Sequence, residues 1–297
     1  MLSIEEFIIT VFCYTDDYLK DISNGQKIRS RGFEPSLTDS EVITMEIVGE
    51  FFGIDTDKGI LEYFKRHWLH LFPGIKSRTT FLRQAANLWY WKLKLLKRFA
   101  RELGAYDDNV HMVDGLPMPV CHFKRAFFSK IFDGYATYGY CDSKDEKYYG
   151  FEGHLIVSFD GIITAFTVTP ANADEREALW EMLPGIQTLL IGDKGYICQE
   201  LKNSLSQIGI DLQTPLRSNM VDDRNPRVVR LMTSIRRRVE TVIGQLTERF
   251  NIEKVRARDL WHLTVRTTRK FLSHTVAIFI NRLHGREPLH FDGLVAS

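Results

Sequence analysis

A chain of 297 residues with 44% hydrophobic content is long enough for one large domain or two modest ones, each with a buried core. The net charge is +1 at pH 7, so the overall charge by itself indicates neither a nucleic acid nor an acidic partner. The four cysteines form no Cys-x-x-Cys pair and are not grouped with histidine at zinc-ligand spacing, which argues against a zinc site and favours a reducing, cytoplasmic compartment. The N-terminus lacks signal-peptide features, and no apolar run approaches the roughly 18 residues of a membrane span.

Residues 1–104 have the pattern of a helical domain. Apolar residues recur at helical spacing from Ile4, and residues 38–41 form a capping box that opens a second helix. A third helix is predicted over 58–71 and a fourth over 77–103, where Gly104 ends the pattern.

The fourth predicted helix is both basic and aromatic. It carries Lys92, Lys94, Lys97, Arg98 and Arg101 beside Trp89, Tyr90 and Trp91. This composition favours a DNA-contacting domain in which Lys94 and Lys97 meet phosphates. A helical bundle with a solvated basic face would show the same pattern, so both interpretations stay open.

Strand patterns begin at about residue 109. A short strand is predicted at 110–113, and Pro117 and Pro119 argue against its continuation. Residues 122–145 have the composition of a loop, and Asp160-Gly161 separates two alternating segments, as in a β-hairpin. The predicted elements that follow are a helix at 172–183, a strand at 188–191, a helix to about 208, a strand at 211–215 and helices at 228–250 and 258–283. This order predicts a mixed sheet flanked by helices.

Three acidic residues stand where these elements could bring them together. Asp114 ends the first predicted strand, Asp193 follows the strand after the hairpin, and Glu240 lies in the first long C-terminal helix. Each has an ordinary interpretation on its own: a turn or cap residue for an aspartate, or an i, i+4 partner of Arg236 for Glu240. Carboxylates that converge at the C-terminal ends of strands would together bind Mg²⁺, with Mn²⁺ as a substitute. The two strands should therefore lie side by side and parallel.

Basic residues crowd the C-terminal half of the chain. They are Arg217, Arg224, Arg227, Arg230, Arg236, Arg237, Arg238, Arg249, Lys254, Arg256, Arg258, Arg266, Arg269 and Lys270. Arginine concentrated around carboxylates would bring a phosphate backbone to a metal site, with Arg217, Arg236 and Arg237 as the expected DNA contacts. The alternative is a set of solvated helix faces.

A series of motifs occurs in a recognisable order. They are Asp114-Gly-Leu-Pro-Met-Pro-Val-Cys121, Gly150-Phe-Glu-Gly-His154-Leu, Asp160-Gly161, Val168-Thr-Pro-Ala-Asn172, Ile191-Gly-Asp-Lys-Gly-Tyr196 and Arg236-x-x-x-Glu240. The series resembles DDE transposases of bacterial insertion sequences, and is most similar to the insertion-sequence 982 family. The resemblance covers about residues 105–283.

The resemblance implies an α/β architecture with a ribonuclease-H-like, retroviral-integrase-like mixed sheet and flanking helices over 105–284. An all-helical DNA-binding domain over 1–104 would precede it, and a tail over 285–297 would follow. Asp114, Asp193 and Glu240 would form the metal-binding triad that cleaves and transfers strands of double-stranded DNA at the terminal inverted repeats and the target. A homodimer or larger assembly on DNA, in a bacterial cytoplasm and associated with the nucleoid, is the implied setting.

The chain departs from related transposases at three positions. In the insertion-sequence 4 group, a tyrosine and a lysine flank the helix motif that contains the glutamate, and Thr233 and Thr247 stand there instead. Gly115 follows the first aspartate, where a serine or threonine is usual. The roles of that tyrosine and lysine are therefore not carried over.

Several local assignments leave alternatives open. The resemblance makes His154 a phosphate or substrate contact, whereas a core histidine bonded to a neighbour is the structural alternative. Lys194 and Tyr196 could contact DNA or cap the turn. At the level of function, the rivals are a catalytically silent DNA-binding protein derived from a transposase and another ribonuclease-H-like nuclease.

Overall fold

A computed structural model describes residues 1–29, 32–141 and 144–296. The helices are α1 (Ile4–Ile22), α2 (Asp39–Phe51), α3 (Asp57–His67), α4 (Arg78–Asn87), α5 (Trp89–Glu102), α6 (Phe123–Ala126), α7 (Glu175–Met182), α8 (Gln199–Gln207), α9 (Pro226–Glu248) and α10 (Leu260–Leu283). The strands are β1 (Val110–His122), β2 (Thr137–Cys141), β3 (Glu146–Ser158), β4 (Ile163–Pro170), β5 (Thr188–Ile191) and β6 (Ile210–Gln213). Across the described ranges, no helix is both long enough and apolar enough to span a membrane.

The chain folds into two compact units. A helical unit contains residues 1–99 together with the chain from 246 onward, and an α/β unit contains 100–245. The predicted catalytic range, 105–284, is therefore divided between the two units after Gln245. The physical reason is that the last long helix, α10, pairs its charged side chains with those of α2 and α3.

Capping and buried charge shape the helical unit. Ser3 with Glu6 and Thr38 with Glu41 form capping boxes at the starts of α1 and α2.

The predicted helix over 77–103 is interrupted at Leu88, which separates α4 from α5. Near the end of α4 the Ala85 carbonyl accepts a hydrogen bond of 3.0 Å from Lys92 Nζ, so the break accompanies the burial of that lysine.

Among the described residues of the helical unit, five charged side chains are fully buried. They are Glu46 and Glu50 of α2, Lys92 of α5, and Arg269 and Lys270 of α10. Lys92 Nζ lies 2.8 Å from Glu46 Oε2, and Arg269 bonds both glutamates, at 2.7 Å to Glu50 and 3.3 Å to Glu46. The prediction that Lys92 lies on an exposed basic face is wrong, because its charge is matched inside the core.

Asp57 extends the buried ion-pair network at the start of α3. Arg269 and Arg266 both pair with it, and these two cations overcome the effect of burial to lower the pKa of Asp57 to about 2. Arg266, Arg269 and Lys270 therefore neutralise acids of the helical unit. Their predicted place among arginines around the acidic site is wrong.

The α/β unit is built on a six-stranded mixed sheet, which confirms the predicted mixed sheet with flanking helices. The strand order is β2-β3-β1-β5-β6, and β4 pairs with β3 beside β2. β1 and β5 are parallel neighbours, with Val110 opposite Leu189 and Met112 opposite Ile191. This pairing confirms the prediction that the two acid-bearing strands lie side by side.

β1 is longer than the sequence indicates. It continues through Pro117 and Pro119 as an antiparallel partner of β3, with a register shift after Pro119. The parallel pairing to β5 ends at Met112, so the later part of β1 has a partner on one side only. A proline in such an edge segment loses no ladder hydrogen bond on its open side.

The predicted loop at 122–145 contains α6 and β2, because β2 pairs with β3 along the edge opposite β1.

The core of the α/β unit lies between the sheet and helices α7 and α8. Its fully or nearly buried members include Val113, Ile156, Leu179, Leu190, Tyr196, Leu205 and Leu212. Asp174 caps α7 through a hydrogen bond to the backbone of Arg176. This capped helix start places Glu175 next to Gly195, in the turn that follows β5.

Candidate active site

Parallel strands bring Asp114 and Asp193 to the same end of the sheet. Met112 of β1 pairs with Ile191 of β5. Asp114 lies two residues after Met112, and Asp193 lies two residues after Ile191. Asp114 Oδ1 accepts a hydrogen bond of 2.9 Å from the Gly115 backbone. Asp193 caps the short 3₁₀ turn that follows β5, with the Gly195 N–H donating to its Oδ1 at 2.8 Å. Local backbone hydrogen bonds therefore orient both carboxylates, Asp114 inside β1 just beyond its pairing with β5 and Asp193 in the turn after β5.

Helix α9 brings Glu240 to this position through Arg236. Arg236 Nη1 lies 3.4 Å from Asp114 Oδ2, and its Nη2 pairs with Glu240 Oε1. The i, i+4 pair expected as the ordinary role of Glu240 is present, but the same guanidinium also joins that pair to β1. The Glu240 side chain remains 47% exposed and can reorient.

Two further acids, Glu152 and Glu175, approach the aspartates. A β-carbon added to Gly115 would lie 2.8 Å from Glu152 Oε1, a distance that real β-carbons do not show. A β-carbon at Gly195 would lie 2.9 Å from Glu175 Oε2 and 3.0 Å from Asp193 Oδ1. The sequence did not predict a role for either glutamate. The signal that could have revealed Glu152 is Gly115 in place of the usual serine or threonine, because only glycine leaves this space.

Burial and mutual repulsion raise the pKa values of these acids. Burial, then repulsion by Asp193, raises the pKa of Asp114 to about 6, although Arg236 opposes the shift. Burial, then repulsion by Asp114 and Asp193, raises the pKa of Glu152 to about 7. Burial, followed by repulsion from Asp193 and Glu152, raises the pKa of Glu175 to about 7. The acids on the side of the site nearest α7 therefore repel one another, and each keeps its proton to a higher pH than a free carboxyl group does.

The Tyr196 hydroxyl lies within the influence of the same acids. Tyr196 has no exposed surface, and burial followed by repulsion from Glu175, Asp114 and Asp193 raises its pKa well above the ordinary value. Within the part of the chain that the structure describes, no group forms a hydrogen bond with this hydroxyl. Burial excludes the DNA contact considered for Tyr196, whereas Lys194 is exposed.

The residues predicted to contact DNA lie in different environments. Lys194, Arg217 and Arg237 are exposed in the α/β unit, and Lys97 is exposed in the helical unit. Lys94 rests over the rings of Tyr90 and Trp91, at 4.8 and 5.0 Å from their centroids. His154 is fully buried, and its Nε2 lies 2.8 Å from Thr169 Oγ1, which matches the structural alternative for that histidine.

Residues 105–260, more than half of the chain, match the family model described as the transposase DDE domain. The chain belongs to the transposase DDE domain family. Membership implies a DNA transposase, an enzyme that cleaves and transfers DNA strands. The structure is also similar to a piggyBac transposase in a synaptic complex with hairpin DNA, at 9% sequence identity and a TM-score of 0.44. That similarity covers 95% of this chain and 76% of the other. No curated protein is significantly similar in sequence.

DDE transposases generally use divalent metal ions, and the acids of this site have suitable donor chemistry. Over residues 1–29, 32–141 and 144–296, no group of three or more Asp, Glu, His or Cys side chains is arranged closely enough to hold a metal ion. The donors are carboxylate oxygens, which hard divalent cations prefer. Burial and repulsion among the acids raise their pKa values, and Arg236 is a cation beside Asp114. The acids of this transposase therefore fit a divalent cation, provided that their side chains close around it.

Raising the pH should remove the stabilisation that three acids contribute when the site is free of metal. The pKa values of Asp114, Glu152 and Glu175 rise from 3.8, 4.5 and 4.5 to about 6, 7 and 7 on folding. These three groups therefore hold more protons in the folded state than in the unfolded state between about pH 4 and pH 7. Their contribution to the free energy of unfolding should fall through that window, whereas burial lowers the pKa values of His154 and His274 and so contributes with the opposite sign.

Urea unfolding at a series of pH values, with a chelator present, measures this effect. The control is a double variant, Glu152→Gln with Glu175→Gln, which removes two of the three groups. The free energy of unfolding of the wild type relative to this variant should fall as the pH rises, because the histidines are common to both proteins. Equal pH dependence in the wild type and the double variant would contradict the prediction.

Proposed function

We propose that this DDE transposase has a ribonuclease-H-like catalytic fold and mobilises a bacterial insertion sequence most similar to the insertion-sequence 982 family. It would bind the terminal inverted repeats, cleave the strands there and transfer them to target DNA. The observation that carries the proposal is the parallel pairing of β1 with β5, which delivers Asp114 and Asp193 to one end of the sheet. Arg236 pairs with Asp114 and also with Glu240.

Asp114, Asp193 and Glu240 are the proposed ligands of Mg²⁺, with Mn²⁺ as a substitute. When bound, the ions would activate a water or a 3′-hydroxyl group and stabilise the leaving oxygen. Arg236 offsets the charges of Asp114 and Glu240 and holds the two carboxylates near each other. The exposed Glu240 side chain can turn from Arg236 toward a stronger cation.

Exposed basic side chains would position the DNA. Lys194 immediately follows Asp193, and Arg237 is the neighbour of Arg236, so both are attached to elements that carry the acids. With Arg217 they offer phosphate contacts that need no particular base sequence. Two element ends must be brought together, which favours a homodimer or a larger assembly on DNA.

The decisive assay uses the DNA that flanks the coding sequence, with both inverted repeats, and a separate target duplex. The full chain with Mg²⁺ should cut the element ends and join them to the target. Cutting without joining would indicate a resolvase-like nuclease. Specific binding without cutting would indicate a silent DNA-binding protein. Either of these results would overturn the proposal.

The helical unit should contribute phosphate contacts through α5. Replacing Lys94 and Lys97 with alanine should lower the slope of log affinity against log salt concentration by about one for each phosphate that the variant no longer neutralises. Fluorescence anisotropy with labelled element ends over a salt series measures the slope. Lys58→Ala is the matched control, because Lys58 is an exposed lysine of α3 whose partner is Glu62. An unchanged slope in the double variant would exclude α5 from the DNA interface.

A further inference from the structure

We propose that Glu152 and Glu175 bind the divalent cation together with the aspartates, so that the metal centre has a larger carboxylate set than the Asp-Asp-Glu triad. This inference deepens the proposed function and rests on it. It concerns the side of the site nearest α7, whereas Arg236 and Glu240 lie on the side formed by α9.

The first support is the close approach of Glu152 to the backbone beside Asp114. Glu152 lies on β3 opposite Pro117, and its carboxylate occupies the space that a side chain at residue 115 would need. A serine or threonine at that position would collide with Glu152 Oε1 and push it away. The lack of a side chain at Gly115 is therefore what leaves room for the Glu152 carboxylate beside Asp114.

The second support is the position of Glu175 at the start of α7. The Glu175 and Asp193 carboxylates approach the same face of Gly195, because an added β-carbon there would meet oxygens of both at about 3 Å. Asp174 caps α7 and fixes the start of that helix. Glu175 is thus held by regular secondary structure beside an acid already assigned to the metal.

The third support is that no cation among the described residues offsets the charge of these two glutamates. Burial raises the pKa values of Glu152 and Glu175 first, and neighbouring acids raise them further. The buried glutamates Glu46 and Glu50 of the helical unit, by contrast, each form ion pairs with a lysine and with Arg269. Negative charge that is partly removed from water and unmatched requires a cation or protons.

The fourth support is the buried hydroxyl of Tyr196. It is influenced by all four acids Glu175, Asp114, Asp193 and Glu152, and no described group satisfies it. Buried hydroxyl groups are nearly always hydrogen-bonded in native proteins. A carboxylate drawn inward by a cation, or a water bound to that cation, would supply the missing partner.

Manganese binding to the full chain without DNA tests the inference. Isothermal titration with Mn²⁺ at about pH 8, above the carboxyl pKa values, should show weaker binding by at least about 10-fold for Glu152→Gln and for Glu175→Gln. Gly115→Ala should weaken binding similarly, because it displaces the Glu152 carboxylate while keeping its charge. Glu177→Gln is the matched control, since Glu177 is an exposed acid on the same helix and should bind Mn²⁺ like the wild type.

Thermal unfolding gives an independent measurement. Removing a repelling charge should raise the melting temperature of the metal-free Glu152→Gln protein and reduce the further rise caused by Mn²⁺. Wild-type Mn²⁺ affinity in both glutamine variants would overturn the inference, whether or not DNA is cut. Failure of the wild type to cut and join DNA despite binding Mn²⁺ would instead overturn the proposed function.

Discussion

Asp193→Asn should abolish DNA cleavage and strand transfer, lowering the rate by roughly 10³-fold or more, because groups that act as one catalytic unit lose their effect together. The substitution keeps the side-chain volume but removes the charge that would hold the metal. The new amide can still accept the Gly195 backbone hydrogen bond through its oxygen, so the turn after β5 should persist. DNA binding should survive, since one fewer acid repels phosphate less.

Single-turnover cleavage and anisotropy binding on the same labelled element end measure these two effects. Asp223→Asn is the matched control, because Asp223 is an exposed aspartate in the same unit, in the loop before α9. Glu240→Gln should show the same loss as Asp193→Asn if Glu240 is the third acid. Near-normal cleavage by Glu240→Gln would exclude it from that role, with Glu152 then the strongest candidate.

Glu50→Gln should lower the free energy of unfolding by about 3–5 kcal/mol, the usual effect of removing one partner from a buried ion pair. Glu50 Oε1 accepts from Arg269 Nε at 2.7 Å, and its Oε2 accepts from Lys270 Nζ at 2.8 Å. All three side chains are essentially inaccessible to solvent. A neutral amide leaves two buried cations short of one negative charge and presents an N–H₂ group where a carboxylate oxygen accepted.

Urea unfolding followed by circular dichroism measures this loss. The matched control is Glu62→Gln, which removes an exposed glutamate 3.7 Å from Lys58 and should change the free energy of unfolding by less than about 1 kcal/mol. An equally small effect at Glu50 would show that water or a rearranged side chain replaces the lost charge, and that the buried network does not stabilise the helical unit.

The sequence by itself determined the elements whose signals are local. Alternating residues around Asp160-Gly161 predicted the hairpin formed by β3 and β4, and the apolar run before Gly192 predicted β5 with its observed bounds. The capping box at 38–41 predicted the start of α2. The positions of Asp114 and Asp193 after strands predicted that β1 and β5 would pair in parallel, and they do. A hairpin, a short strand and a helix cap each depend on residues that are close together in the chain. The amino-acid sequence is therefore sufficient to predict them.

Only the tertiary structure decided which distant groups meet. Lys92 has the sequence setting of an exposed basic residue, yet it is buried because Glu46, far away in the chain, supplies its counter-charge. The prolines of β1 are accommodated because β5 is too short to pair beyond Met112. Glu152 reaches the acidic site because antiparallel pairing lays β3 against β1 and Gly115 leaves room for its carboxylate. Charge compensation, edge position and free space are properties of three-dimensional neighbours, which local periodicity and capping do not specify.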